Sequence, residues 1–526
     1  MVVLSRNRAI GKNRTRFAII IHIFGREQKF LIKNTIILKR SSIYLVALWL
    51  TAVLFSCSSD NAQPFTPIPE PNPETESPTP DSEPESIIEV NSIPPSQQRS
   101  GDPEKGYQYL ISGEYMSSGI PYDAYIRASG ENDANLLGRN GDNAIISHNY
   151  TAVTAPNGVR IVSPNCMACH AGVINDEFVV GLGNYAGDYT INRADNIGLV
   201  SSAISLLYGG VDSDEWKAYD QFRKSILAIG PKTITETRGV NPANKIAQVL
   251  ASHRDKSTLE WTDEPYVTVE NEIIPTDVPA WWLLKKKNAM FYNGMGRKDF
   301  CKSFIGSSLL TMTDKAKAEE VDENMVDVLA YIKSLEPPSY PFTIDTELAA
   351  QGKPIFEENC VKCHGSYGSE ADYPNLMVSL KTIGTDPELS NGYTESSVLT
   401  DYFLDWFNTG WFATGEAPLE LFTEGGYIAP PLDGVWATAP YFHNGSVPTI
   451  ADVLNSENRP EYWSRSFNST DYDMEKVGWE YTVETSKTNK NTYNTTFKGY
   501  GNGGHIFGDK LSDTERRALL EYLKSL

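Results

Sequence analysis

Apolar residues recur at helical spacing from Ile197 to Leu207 and again from Trp216 to Ile229, which predicts two amphipathic helices. Further upstream, Gly106-Tyr107-Gln108-Tyr109-Leu110 and Gly119-Ile120-Pro121-Tyr122 mix aromatics with Gly and Pro, predicting a helix followed by a tight turn. Phe178 to Asn184 reads as a short extended piece entering a loop. Ala280 to Tyr292 is a dense apolar and aromatic run interrupted by Lys285-Lys286-Lys287, and it predicts a buried helix whose lysine stems reach out to water. Glu320 to Leu335 is an amphipathic helix stopped by Pro337 and Pro338. The last helix opens on a capping box, Ser512-Asp513-Thr514-Glu515. Its end, Tyr522-Leu523-Lys524-Ser525-Leu526, nearly repeats Tyr331-Ile332-Lys333-Ser334-Leu335.

The pattern changes at the start of the chain. Lys33, Lys39 and Arg40 precede an apolar run from Ile43 to Phe55, which is about 13 residues long against the roughly 20 a membrane span needs. A basic segment, a short apolar core and a small residue before the cut describe a secretory signal. Leu54-Phe55-Ser56-Cys57 resembles a bacterial lipobox, which makes Cys57 the expected lipidation site and residues 1–57 a leader with a lipoprotein-type signal peptide. Residues 58–99, with Pro67-Ile68-Pro69-Glu70-Pro71-Asn72-Pro73, have too little apolar surface to pack and read as a disordered tether. The expectation is an exported protein at the periplasm or cell surface, held to a membrane by its lipid. Among the 526 residues the formal net charge is −21, which argues against nucleic acid as a partner. It fits a solvated acidic surface or a basic electron-transfer partner.

Four of the six cysteines carry the chemistry. Cys166-Met167-Ala168-Cys169-His170 and Cys360-Val361-Lys362-Cys363-His364 both match the c-type haem attachment pattern. Two thioethers must reach two vinyl groups on one side of a porphyrin, and the adjacent histidine is then delivered beneath the iron as proximal ligand. Zinc sites need a second cysteine pair or paired histidines nearby, and neither copy has them. In each half the closing helix lies roughly 160 residues after the haem histidine, so the chain reads as two cytochrome-like units in tandem. The expected fold is mostly α: a first haem domain at 100–338 and a second at 339–526, both with long loops and helical insertions. Gly352 and Phe356 sit on the helix entering Cys360, and the stretch looks like the first helix of c-type cytochromes, where a small residue lets first and last helices cross. Pro354 in that helix predicts a kink. Beside a haem, the Ala280–Tyr292 run could equally form an aromatic wall, with Trp between electron-transfer centres.

An iron has two axial positions, so the remaining histidines matter. Of seven, His22 precedes the expected mature protein, and His148, His253, His443 and His505 are left beside the two proximal ones. His505 lies in a glycine loop, Gly501-Asn502-Gly503-Gly504-His505-Ile506-Phe507-Gly508, where the backbone can approach a porphyrin closely. His443 lies in Ala439-Pro440-Tyr441-Phe442-His443-Asn444-Gly445-Ser446-Val447-Pro448-Thr449. That stretch, with Leu432-Asp433-Gly434-Val435-Trp436 before it, resembles the C-terminal signature of the di-haem cytochrome c peroxidase superfamily, in particular its rubber oxygenase-like branch. The resemblance covers both haem motifs, their spacing and the C-terminal third.

The resemblance implies two packed c-type haem domains, one haem handling electrons and the other carrying the reactive iron. In the rubber oxygenase-like branch the C-terminal haem has two histidine ligands, the second from a glycine-rich loop near the chain end. This matches His505, with His443 as the alternative. Di-haem peroxidases carry a distal histidine in the loop shortly after the first motif, whereas here none occurs between His170 and His253. The first iron is therefore expected to be open, or reached by a methionine, His148 or His253, with Phe291 or its neighbours as an apolar cover and Glu177 as a candidate acid–base group. The leading expectation is a peroxidase-like haem oxidoreductase in which His170 holds the reactive haem, His364 with His505 holds the relay, and peroxide or dioxygen binds at the first iron. A non-catalytic electron-transfer cytochrome and a rubber oxygenase-like dioxygenase are the alternatives. The cofactors expected are two covalent haems, with room for a calcium.

Overall fold

The computed structural model describes residues 89–526, all of which belong to one compact unit. The leader, Cys57 and the tether up to residue 88 lie outside the described residues. The last part of the expected tether is packed: Val90–Ser92 forms a strand on Leu376–Val378, Ile93 is buried, and Arg99 bridges Asp299 and Asp322. Val90 and the buried Ile93 bracket two exposed polar residues, and this short segment adds an edge strand once a partner strand is present.

Two helix pairs frame the molecule. Asp102 caps Pro103–Ser112, its carboxylate accepting from Glu104 and Lys105 N–H groups, and Asp345 caps Thr346–Asn359 in the same way. The first helix crosses Lys315–Ser334 at Gly106, where a Cβ would come to 1.9 Å from the Asp327 carbonyl oxygen. Its counterpart crosses Asp513–Leu523 at Gly352, where a Cβ would come to 2.0 Å from the Ala518 oxygen. Only glycine permits backbones that close. Asp327 and Ala518 each stand four residues before the tyrosine of the repeated pentapeptide, so the two crossings share one register. The links at the caps also match: Asp102 N–H donates to the Asp327 carboxylate at 2.7 Å and Asp345 N–H to that of Glu521 at 2.9 Å. Thr346–Asn359 continues past Pro354 to its last residue.

The expected mostly α fold needs correcting. About 39% of the described residues are helical and 13% lie in strands, so the architecture is mixed α and β. The strands come from segments rich in Thr, aromatics, Asn and Gly, which form short antiparallel pairings and turns rather than helices. They build six small sheets of two or three strands among the described residues. Tyr150–Thr154 and Arg160–Pro164 form a hairpin directly before the first haem motif, and Ile120–Pro121, expected as a tight turn, joins it as a third strand. The extended piece expected near Phe178 is the strand Glu177–Val180, paired with Ala171–Ile174. Tyr462–Ser464 lies between Thr482–Glu484 and Thr492–Asn494. The helices at Ile197–Tyr208 and Asp214–Ile229 fall where the periodicity places them.

The Ala280–Tyr292 run is not a long helix. It makes a single 3-10 segment, Trp281–Lys285, and then a turn closed by Met290 N–H donating to the Gly296 oxygen at 2.8 Å. Trp282 is fully buried in the main core with Phe356, Trp436, Trp479 and Leu519. Two of the three lysine heads are ion-paired, Lys285 with Glu336 and Lys286 with the Asp433 carboxylate at 2.7 and 2.8 Å, whereas burial pushes Lys287 down to about 8.

Candidate haem centres

Each haem motif is one turn of helix. Met167–His170 and Val361–His364 follow Cys166 and Cys360, and the N–H of each histidine donates to the carbonyl of the first cysteine at 3.0 Å. That turn brings both thiols and the imidazole to one side. All four thiols are free and half-exposed. Burial pushes Cys166 and Cys360 up to about 11, so both remain protonated thiols at neutral pH.

The two histidines differ beyond the motif. His364 Nδ1 hydrogen-bonds the Pro430 carbonyl at 2.8 Å, which fixes the proton there and leaves Nε2 as a free lone pair. His505 faces it, with ring centres 6.2 Å apart and planes at 59°. Two metal–imidazole bonds of about 2 Å, with about 1 Å from each nitrogen to its ring centre, require about 6 Å between centres. The spacing fits one iron between the rings. Burial holds His505 down at about 3 and lowers His364, so both imidazoles are neutral, the ligating form.

His170 has a different setting. Its Nδ1 is buried without a partner, its ring stacks on Trp281 at 4.6 Å and 20°, and burial pushes it down to about 3. Among the described residues no second imidazole is in ring contact with it. The thiol pair and the neutral imidazole fit a covalent haem here as well. A chain of contacts joins the two motifs. Trp282, beside Trp281, donates its indole N–H to the Asp433 carbonyl at 2.8 Å; Lys286, paired with Asp433, sits 4.7 Å over the Tyr367 ring; and the Tyr367 hydroxyl donates to the His364 carbonyl at 3.4 Å.

The other candidates sit elsewhere. His443 is buried and stacked on Tyr427 at 4.1 Å, with its Nε2 unpartnered, and it makes no ring contact with His364. His148 packs edge-on against Phe178, with burial lowering its pKa, and His253 stacks on Trp261 with its Nδ1 at 3.0 Å from the Thr262 carbonyl. Neither ring is in contact with His170. Trp281, not Phe291, is the aromatic neighbour of His170, and Phe291 itself is exposed in a left-handed turn position. Glu177 is exposed on its strand. No group of three His, Cys, Asp or Glu side chains gathers as a metal site among the described residues, so calcium stays an expectation.

Sequence reasoning missed a second repeat. Phe291-Tyr292-Asn293-Gly294 and Phe442-His443-Asn444-Gly445 form the same turn. Phe291 and Phe442 have φ of 68° and 69°, and Gly294 and Gly445 have 64° and 69°. Each glycine N–H donates to its phenylalanine carbonyl, at 3.3 and 3.1 Å. The shared Phe-x-Asn-Gly spelling was the available signal. In the first turn the Tyr292 hydroxyl donates to Asp277 at 3.0 Å, while in the second His443 stands at the position of Tyr292.

The motifs, the paired imidazoles and the helix crossings define a c-type cytochrome. Residues 426–464 match a family model described as RoxA-like, cytochrome c-like, which relates the chain to rubber oxygenase-like cytochromes and implies covalently bound c-type haem. The match contains Pro430, His443 and Arg459. The chain is also similar to uncharacterized protein y4iM of Sinorhizobium fredii (strain NBRC 101917 / NGR234), 29% identical over 240 residues, covering 41% of this chain and 50% of that protein. Uncharacterized protein y4iJ of the same strain is 30% identical over 253 residues, covering 36% of this chain and 41% of that protein. The matched stretches span half or less of each relative's length.

Proposed function

We propose that the protein is an exported di-haem c-type cytochrome, built of two cytochrome-like units, that acts as a haem oxidoreductase of the rubber oxygenase-like kind. The observation that carries this reading is the asymmetry of the two histidines: His364 faces His505 at 6.2 Å, and His170 faces no imidazole among the described residues. In this reading Cys360, Cys363, His364 and His505 would hold one haem, supplying electron relay there. Cys166, Cys169 and His170 would hold another, supplying a site for dioxygen or peroxide. A c-type haem supplies one-electron exchange and, where a position is open, a site for the oxidant. The chain's own residues set the tautomer of His364 through Pro430, cover His170 with the Trp281 indole, and join the sites through Trp282, Asp433, Lys286 and Tyr367. The peroxidase-like reading needs a positioned acid–base group, and its candidate Glu177 is exposed, which favours the oxygenase-like reading with an apolar substrate. A lipid at Cys57 and a basic redox partner complete the proposal.

The test is spectroscopic. Purified protein carrying both haems should give one ferric low-spin bis-histidine signal and one signal that changes on adding imidazole, peroxide or, after reduction, dioxygen. Two low-spin irons that ignore all three would overturn an enzymatic role and leave an electron-transfer cytochrome.

A further inference from the structure

His505 stands on a segment with little means of holding itself. Residues 501–506 form no helix or strand, glycines occupy positions 499, 501, 503, 504 and 508, and His505 itself has a φ of +47°. That left-handed conformation is unfavourable for any residue with a Cβ, so it persists only where neighbours impose it. Its own N–H donates to the Ile383 carbonyl at 2.6 Å. Gly504 lies directly on the Gly384 backbone, where a Cβ would come to 2.1 Å. Further up the loop, Gly501 N–H donates to the Asp386 carboxylate at 3.0 Å, the Asn444 amide donates to the Gly499 and Gly501 carbonyls at 3.0 and 2.9 Å, and the Asn502 amide donates to the Pro460 carbonyl at 2.9 Å. Around the histidine itself the carbonyls are served by one guanidinium.

Arg459 follows the 3-10 turn Ser456–Asn458 and uses all five of its N–H donors on backbone carbonyls. Nε donates to Asp452 at 2.8 Å, and one Nη2 bond goes to Val453 at 3.0 Å. Those two anchor it to the end of the helix Ile450–Leu454. The other three go to the His505 loop: Nη1 to Asn502 at 2.9 Å and Gly504 at 2.6 Å, and Nη2 to His505 at 3.1 Å. The guanidinium also lies 5.0 Å from the centre of the Phe442 ring, which itself packs 6.0 Å from the His505 ring. Helix end, histidine loop and Phe442 turn therefore meet on one planar cation. Hydrogen bonds from a charged donor are roughly twice as strong as neutral ones. A lysine offers three donors without the fixed fork and cannot reproduce five bonds at these angles.

We propose that Arg459 is the positioning residue for the axial histidine of the second haem: it holds the His505 loop so that the imidazole stands opposite His364. The proposal rests on the reading of His505 as that ligand. Without Arg459 three carbonyls of a glycine loop lose their donor together, and the histidine leaves and returns rather than staying bound.

Arg459→Lys, Arg459→Gln and His505→Ala are compared in the full-length protein with both haems attached, by ferric EPR and optical spectra, imidazole titration and spectroelectrochemistry. His505→Ala should abolish the bis-histidine signal. Both Arg459 variants should show a high-spin fraction at the second haem that the wild type lacks, a shifted reduction potential for that haem only, and recovery of the low-spin spectrum on adding imidazole. The signal of the first haem should not change. Arg459 variants with wild-type spectra beside a His505→Ala variant that loses its signal would overturn the positioning role alone. An unchanged His505→Ala spectrum would remove the ligand assignment and the proposal with it. Variants that lose both haem signals would show that Arg459 supports the fold generally, which also counts against the proposal.

Discussion

Around His170 and around His364 the chain builds two copies of one frame and furnishes them differently. Both have a helix pair crossing on a glycine, a capping aspartate whose N–H reaches a carboxylate of the closing helix, a one-turn haem motif, and a Phe-x-Asn-Gly turn. The furnishing diverges at a few side chains. His364 has a carbonyl behind it and an imidazole in front; His170 has an unpartnered Nδ1 and an indole along its face. Backbone geometry thus repeats one frame around both motifs, and the residues one step out from each histidine are where the two copies differ.

That comparison breaks most completely if either half is deprived of its thiols. Replacing Cys360 and Cys363 by serine should remove one covalent haem per chain together with the bis-histidine signal. The same change at Cys166 and Cys169 should remove one haem and the response to imidazole and peroxide. Haem-to-protein ratio measured with the EPR spectrum checks both, and loss of the same signal from the two variants would end the distinction. The frame can be tested separately. Gly106→Ala and Gly352→Ala each place a methyl group against a carbonyl at about 2 Å, and overpacking of this kind costs about 1–3 kcal/mol. Denaturant midpoints of the holoprotein should fall by similar amounts for both, because the crossings share a register. The turns offer a further test, read as a pH dependence. Burial pushes the Asp277 carboxyl up to about 7, against the opposing hydrogen bonds from Tyr292 and the Val278 N–H. The native state therefore holds this proton where the unfolded chain, with an ordinary carboxylate, does not. Stability from this group is present below about pH 4 and is lost as pH rises to about 7. Asp277→Asn should flatten stability over that window, whereas a variant at His443, whose imidazole burial holds down at about 3, should remove a contribution of opposite sign, one lost as pH falls below about 6.5.

How much of this was written in the sequence depends on the range of the interactions involved. The Cys-x-x-Cys-His motifs were legible because the porphyrin dictates their spacing, and Gly352 was legible because a crossing needs a small residue at one position. His505, the histidine that faces His364, was reached through the family resemblance. Apart from the extended piece at Phe178, the strands were not legible: Val90–Ser92 pairs with Leu376–Val378, and three residues with a partner that distant leave no period to read. The Trp281 run looked helical because an apolar stretch of that length cannot distinguish a helix from a 3-10 turn entering a loop. Arg459 left no signal at all. A cation that serves backbone carbonyls needs no partner residue whose type could give it away.

The helix crossings also set an order of events. The capping contacts join Asp102 to Asp327, 225 residues apart, and Asp345 to Glu521, 176 apart. A crossing of that span cannot form until its last helix has been synthesised, which at roughly 5–20 residues per second takes about 10–45 s after the first helix emerges. Contacts so far apart in sequence also form slowly once both partners exist. Cys166 and Cys360 lie between the two ends of their respective spans, so each is made well before its half can close. The topology gives the attachment chemistry a period in which each thiol pair is reachable on an open chain, and the closing helix of its own half ends it.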